Sequence, residues 1–174
     1  GVSGFTHLFN AMSPLQSREP GVVGAALASD DTWFGIIADG FHVHPATFKV
    51  AVAAKKEGRA ILVTDAMQCV GSDNDSFLVA GQKISVLDGR CTNDDGVLAG
   101  SSLNMITAVD NAARFAGIDW LEAVRMATEY PARALGLDDK LGRVKGGFEA
   151  SLIAVDGEHN VTNSWIDGNH IRIH

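Results

Sequence analysis

Cysteine, tyrosine and proline are scarce: two, one and four in 174 residues. Cys69 and Cys91 stand apart without the spacing of a metal site, so a reduced, cytoplasmic protein is expected rather than a disulfide-held scaffold. Each thiol is read as a small buried side chain. Cationic runs are equally rare, the longest being Lys55-Lys56, and the net charge is −7. A nucleic-acid binder gathers lysine and arginine on one face, so that class is excluded, whereas a small phosphorylated ligand needs only a local cation. No apolar run approaches the ~18 residues of a membrane span, and the start lacks a charged stretch leading into an apolar signal segment. Neither nucleic acid nor membrane is an expected partner.

Apolar residues, by contrast, make up 46% of the chain, enough for the core of an ordinary domain, and no internal repeat or low-complexity linker interrupts them. Several occur in short continuous runs that end in an ionisable side chain. Thr6-His7-Leu8-Phe9-Asn10-Ala11-Met12 reads as the end of a buried strand delivering His7 into a polar loop. Trp33 to Asp39 leads to Gly40-Phe41-His42, and Ala60 to Thr64 leads to Asp65. Continuous rather than alternating hydrophobicity predicts strands buried on both faces, as in parallel sheets covered by helices. Helix-like stretches separate them: Gly21 to Ser29, and Pro45 to Glu57, which opens on proline and closes on Lys55-Lys56-Glu57 before Gly58. His7, His42 and Asp65 therefore recur at about one strand-plus-helix unit, roughly 30 residues in an eightfold barrel, whose chemistry sits at strand C-termini. Taken singly, each has a structural explanation, since histidines after strands are commonly hydrogen-bonded and aspartates start turns and helices. Their joint placement favours function without identifying a reaction.

Beyond Asp65 the pattern predicts a small hairpin insertion over about 77–92, from Phe77-Leu78-Val79, Lys83 to Leu87 and Arg90-Cys91-Thr92. Asn93 to Gly96 reads as a turn. Gly100-Ser101-Ser102 is expected to cap a helix running to Ala116 and stopped by Gly117, with its start facing a ligand. A second helix is expected from Trp120 to Glu129, then a turn from Pro131 to Gly136. From Gly142 short strands follow, at Ser151 to Val155, Val161 to Ile166 and Ile171 to Ile173.

Five segments, Thr6 to Met12, Arg18-Glu19-Pro20-Gly21, Gly35 to His42, Val63-Thr64-Asp65-Ala66 and Leu98 to Ser102, resemble N-acetylglucosamine-6-phosphate deacetylases of the metal-dependent amidohydrolase superfamily, in that family's order and close to its spacing. The resemblance implies an α/β fold: the C-terminal portion of a (β/α)₈ TIM-type barrel over 1–141, with strands of a small β-sandwich domain over 142–174. It implies hydrolysis of N-acetylglucosamine 6-phosphate to glucosamine 6-phosphate and acetate, in amino sugar catabolism. By the same resemblance His7 is the metal-binding histidine of the sixth strand and Asp65 the catalytic acid/base of the eighth. Asn10, Ala11 and Arg18 form the sugar-phosphate clamp, and His42 with Leu98, Ala99 and Gly100 touches the phosphosugar substrate. The cofactor is a divalent metal ion, zinc first, with iron, cobalt or manganese as alternatives.

The family's further metal ligands, a glutamate and another histidine, come from earlier strands. His44, His159, His170 and His174 are poor substitutes. The chain is accordingly expected to be an incomplete, inactive part of the enzyme, with the missing N-terminal half as partner and a homo-oligomer as the complete state. Two alternatives remain open. One is an amidohydrolase acting on a cyclic amide, which has no phosphate for Arg18 to hold. The other is a non-catalytic sugar-phosphate-binding domain, which needs no further ligands.

Overall fold

The protein's structure, a computed structural model, describes residues 1–172. Its centre is a three-stranded parallel sheet. Along the chain β1 (Gly4–Phe5), α1 (Gly21–Ala28), β2 (Trp33–Ile37), α2 (Pro45–Ala53) and β3 (Ala60–Val63) alternate, and the strands pair in the order β1-β2-β3. A helix between successive strands returns the chain to the same end of the sheet, which makes the pairing parallel. Phe34, Ile36 and Ile37 are fully buried, and Ile61 and Leu62 nearly so. Burying each of these side chains contributes about 1.5–3 kcal/mol, so the continuous apolar runs dominate the local energetics.

The helix expected to reach Glu57 stops at Ala53. Past its end the Lys55 N–H bonds the Val52 carbonyl, three residues back rather than four, and the Lys55 ammonium reaches the carbonyl of Ser29 and the hydroxyl of Thr32. At the other end His44 is the N-cap, its Nδ1 accepting the Ala46 N–H at 3.2 Å.

The insertion after β3 is larger than a hairpin. Strands β4 (Ser76–Val79), β5 (Gln82–Leu87), β6 (Arg90–Asn93) and β7 (Leu98–Ser101) form a four-stranded antiparallel meander. The return strand forms because Asn93 closes the turn, its side chain accepting the N–H groups of Asp95 (3.1 Å) and Val97 (2.9 Å). Gly100 and Ser101 thus belong to a strand and cap no helix. The following helix, α3 (Met105–Ala116), is capped by Asn104, whose side chain accepts the Thr107 N–H at 2.8 Å, and it ends at Gly117.

Helix α4 (Trp120–Ala127) is shorter than expected and a separate α5 (Glu129–Ala134) follows. The break is at Thr128, whose hydroxyl donates to the Val124 carbonyl at 2.8 Å. Pro131 sits in the first turn of α5, where a missing N–H costs little. Ala108, Val109, Ala112, Ala123, Met126 and Tyr130 close one core with the parallel sheet.

The last element is an antiparallel sheet of β8 (Leu152–Val155), β9 (Val161–Ile166) and β10 (Asn169–Ile171), ordered β10-β9-β8. Its third strand starts two residues before the expected Ile171, because Asp167-Gly168 alone makes the turn and Asn169 pairs with Ile166. Ile173, the expected strand end, and His174 lie outside the described residues. The β8–β9 loop is fastened to the helices by His159, which stacks on Trp120 at 4.2 Å and bonds Asp110 at 2.8 Å. The indole N–H of Trp120 donates to the same Asp110 oxygen at 2.7 Å. Among the described residues no helix is long and apolar enough to cross a membrane.

Candidate active site

The residues singled out in the sequence gather at the C-terminal end of the parallel sheet. After β1 the chain enters a tight loop in which His7, Phe9 and Ala11 all have positive φ (32°, 79° and 53°). Left-handed backbone at a residue other than glycine costs on the order of 1–3 kcal/mol, so something must hold it. Leu8, with no exposed surface, plugs the loop into the core, and its N–H donates to the Gly35 carbonyl at 2.7 Å. Gly35 lacks a side chain for a reason visible here: a Cβ would lie 3.0 Å from Val63 Cγ1 and 3.7 Å from the His7 nitrogen. The Asn10 N–H donates to the His7 carbonyl (3.0 Å), and the Asn10 side-chain amide to the Leu8 carbonyl (3.2 Å). Backbone of alternating φ sign turns its N–H groups toward one concavity, a geometry suited to anions. The Ala11 N–H has no acceptor among the described residues.

Within this loop His7 Nδ1 is buried with no hydrogen-bond partner, the only such side-chain nitrogen or oxygen among the described residues. An unsatisfied buried polar atom costs about 1–3 kcal/mol. A buried imidazole nitrogen left without a partner fits as one donor to a divalent metal. No group of three His, Cys, Asp or Glu able to hold a metal occurs among the described residues. The described residues therefore offer a single donor rather than a ligand set. The spare histidines are engaged elsewhere: His44 as a cap, His159 with Asp110, and His170 in contact with Asn163 at 3.1 Å.

At the end of β2, Asp39 and His42 form a buried pair, Oδ2 to Nδ1 at 2.6 Å, their side chains 5% and 6% exposed. The other Asp39 oxygen accepts the N–H groups of Phe41 (2.9 Å) and His42 (2.8 Å). Burial pushes the Asp39 carboxyl up, but the bonds from the His42 ring and the two N–H groups outweigh it and hold it below its usual range. His42 is raised: the bond to Asp39 is the largest influence, opposed by burial and reinforced by the charges of Asp39 and Asp65. Sequence reasoning missed Asp39, which stood only as the last residue of the run leading to Gly40-Phe41-His42. The available signal was the histidine three positions on.

Asp65 follows β3, exposed and with φ 50°. The meander returns to it: the Ser101 N–H donates to the Asp65 carbonyl and the Met67 N–H to the Ser101 carbonyl, both at 2.8 Å. The buried Ser101 hydroxyl ties the Thr64 carbonyl (2.5 Å) to the Leu103 N–H (3.0 Å). Leu98, Ala99 and Gly100 are thereby laid, half-buried, beside the Asp65 turn. The β5–β6 tip reaches the His42 side, with Arg90 over the Phe41 ring at 5.2 Å and the Ser102 hydroxyl donating to the Gly89 carbonyl at 2.8 Å. Neighbouring strands lie roughly 4.8 Å apart, so the ends of β1 and β3 are roughly 10 Å apart with β2 between them.

Arg18 is not drawn into these contacts. It stands exposed on the loop before α1 and makes no ion pair among the described residues. The cysteines, far apart in sequence, are neighbours: Cys69 Sγ and Cys91 Sγ lie 3.6 Å apart in a small core with Ile84.

Residues 4–171 match the amidohydrolase family. The chain is 40% identical over 168 residues to N-acetylgalactosamine-6-phosphate deacetylase of Escherichia coli O157:H7, covering 97% of this chain and 44% of that protein. A relative in Escherichia coli (strain K12), provisionally designated with the same name, is 41% identical and covered over 96% of its own length. The crystal structure of N-acetylglucosamine-6-phosphate deacetylase from Pasteurella multocida superposes with a TM-score of 0.94 at 40% identity, over 99% of this chain and 45% of that one. The chain thus spans under half the length of the first and last of these.

Proposed function

Because this chain belongs to the amidohydrolase family, whose members are generally metal-dependent, we propose that it furnishes the C-terminal part of a deacetylase that hydrolyses an N-acetylhexosamine 6-phosphate. The products are acetate and the 6-phosphorylated amino sugar. N-acetylglucosamine 6-phosphate and N-acetylgalactosamine 6-phosphate both stand as substrates, since relatives named for each are 38% and 40% identical to this chain. One observation carries the reading: in a chain with such relatives, an unpartnered buried His7 nitrogen and the exposed Asp65 carboxylate flank the end of one parallel sheet.

In this reading Asp65 takes a proton from the attacking water and returns it to the departing amine, the two services that amide hydrolysis requires. A divalent cation held in part by His7 supplies, when bound, Lewis acidity toward that water and the acetamide carbonyl. Arg18 offers a planar fork of donors to the phosphate, joined by backbone N–H groups of the Asn10–Ala11 loop. His42, Leu98, Ala99 and Gly100 line the sugar. Residues 1–141 belong to a (β/α)₈ barrel and 142–174 to a small β-sandwich. The outer edges of β1 and β3 pair with no further barrel strand among the described residues, and His7 is a single ligand, so the remaining strands and metal ligands come from chain outside residues 1–174.

The test is Asp65→Asn in the full-length protein. Turnover falls by roughly 10² to 10⁴ while substrate affinity is retained, the usual scale of acid–base catalysis. Near-normal turnover would remove Asp65 from the mechanism.

A further inference from the structure

Asp39 is built into its place more firmly than a turn residue requires. All its polar contacts point inward: Oδ1 takes two backbone N–H groups and Oδ2 takes the His42 ring. The backbone carrying it is pinned from α3, where the Asn111 side-chain amide donates to the Ala38 carbonyl at 2.8 Å. His42 Nε2, by contrast, bonds to no described residue and is not among the sealed-off atoms. The charged or titratable groups around the pair are Asp65 across the strand ends, Arg90 above the neighbouring Phe41 ring, and the Cys91 thiol, which feels Asp39.

Resting on the deacetylase reading, we propose that Asp39 is a positioning residue, keeping a proton on Nδ1 of His42 so that Nε2 is the atom that gains and loses a proton toward the substrate. A carboxylate can only accept, so the ring nitrogen bonded to it carries hydrogen in both protonation states. The free nitrogen then switches role with pH: it donates to a sugar oxygen when the ring is charged and accepts from a hydroxyl when it is neutral. The carboxyl of Asp39, held below its usual pKa range, and the ring of His42, held above its own, agree with this division. No covalent step is involved.

Asp39→Asn tests the idea with little change of shape, because the amide oxygen can still accept the two backbone N–H groups. Its NH₂ then faces Nδ1 and forces that nitrogen to accept, moving the neutral ring's proton to Nε2. The readout is a long-range ¹H–¹⁵N correlation spectrum of the full chain followed from about pH 5 to 9, with His42 assigned by its loss in His42→Gln. In the wild type the neutral ring shows Nδ1 protonated and Nε2 bare. In Asp39→Asn the pattern inverts and the titration midpoint falls. A neutral wild-type ring protonated on Nε2, or a variant with the same tautomer and midpoint, overturns the proposal. If Asp39→Asn does not fold, the wild-type tautomer alone decides.

In the active protein, KM for the sugar phosphate changes across the His42 midpoint in the wild type and loses that change in Asp39→Asn, whose ring keeps hydrogen on Nε2 throughout. A merely structural aspartate would lower activity equally at every pH, and that result also overturns the proposal. Absence of acetate release in the wild type would count against the deacetylase reading, while the spectra still decide the tautomer.

Discussion

Replacing Gly100 by alanine strikes the point where the meander meets the Asp65 turn. Gly100 has φ +60°, and an added Cβ would lie 2.6 Å from Met67 Cγ and Sδ and 2.9 Å from the Asp65 carbonyl oxygen. Left-handed backbone costs a residue with a side chain about 1–2 kcal/mol. Met67 can swing aside, but the Asp65 carbonyl is held by the Ser101 N–H at 2.8 Å, so relief of the second contact drags the Asp65 turn with it. Overpacking of this kind costs about 1–3 kcal/mol, which brings the expected loss to roughly 2–5 kcal/mol. For a domain of this size that lowers Tm by roughly 10 °C. Gly81→Ala separates strain from overlap, because Gly81 has φ +84° and nothing within 4 Å of its added Cβ. Thermal melts by circular dichroism should therefore show a drop of only a few degrees for Gly81→Ala, at about 1–2 kcal/mol. Adding Met67→Ala to Gly100→Ala should recover only part of the larger loss. A Gly100→Ala chain that melts no lower than Gly81→Ala would refute the packing argument.

Two further outcomes follow from the site and its surroundings. Arg18→Ala should raise KM for the 6-phosphorylated sugar about 10- to 150-fold, the worth of a charged hydrogen bond, and leave the unphosphorylated N-acetyl sugar nearly unaffected; equal losses on both would exclude a phosphate clamp. Cys91 is pushed up to about 12 by burial and by the neighbouring Cys69, so iodoacetamide at mildly alkaline pH should leave it unmodified until the chain unfolds; rapid alkylation of Cys91 in the native protein would contradict its burial.

The parallel sheet was legible because its strands are apolar on both faces, and Phe34-Gly35-Ile36-Ile37 has no polar side to confuse the pattern. Positions defined by non-local pairing were harder to read. Ser102 and Asn104 are both good helix caps, and only the pairing of β7 with β6 takes Ser101 into a strand and leaves Asn104 to cap α3. The Cys69–Cys91 contact likewise depends on the register that sets Cys91 opposite Val86. The left-handed run of His7, Phe9 and Ala11 had no glycine or asparagine at those positions to announce it; burial of Leu8 imposes it. His7, His42 and Asp65 were legible as strand-end residues, whereas Asp39 stood only as the end of the run before Gly40, and its bond to His42 depends on the fold of that loop.

The claim most in need of direct measurement is that this chain contributes to a metal-dependent sugar-phosphate deacetylase. The assay is acetate release from N-acetylglucosamine 6-phosphate and N-acetylgalactosamine 6-phosphate by the full-length protein, before and after removal and return of a divalent metal, with His7→Ala alongside. The account predicts turnover of at least one sugar phosphate that is lost on chelation, restored by metal, and accompanied in His7→Ala by a fall in bound metal. Metal-loaded protein that releases no acetate from either substrate, or that keeps its metal and turnover without His7, would contradict it.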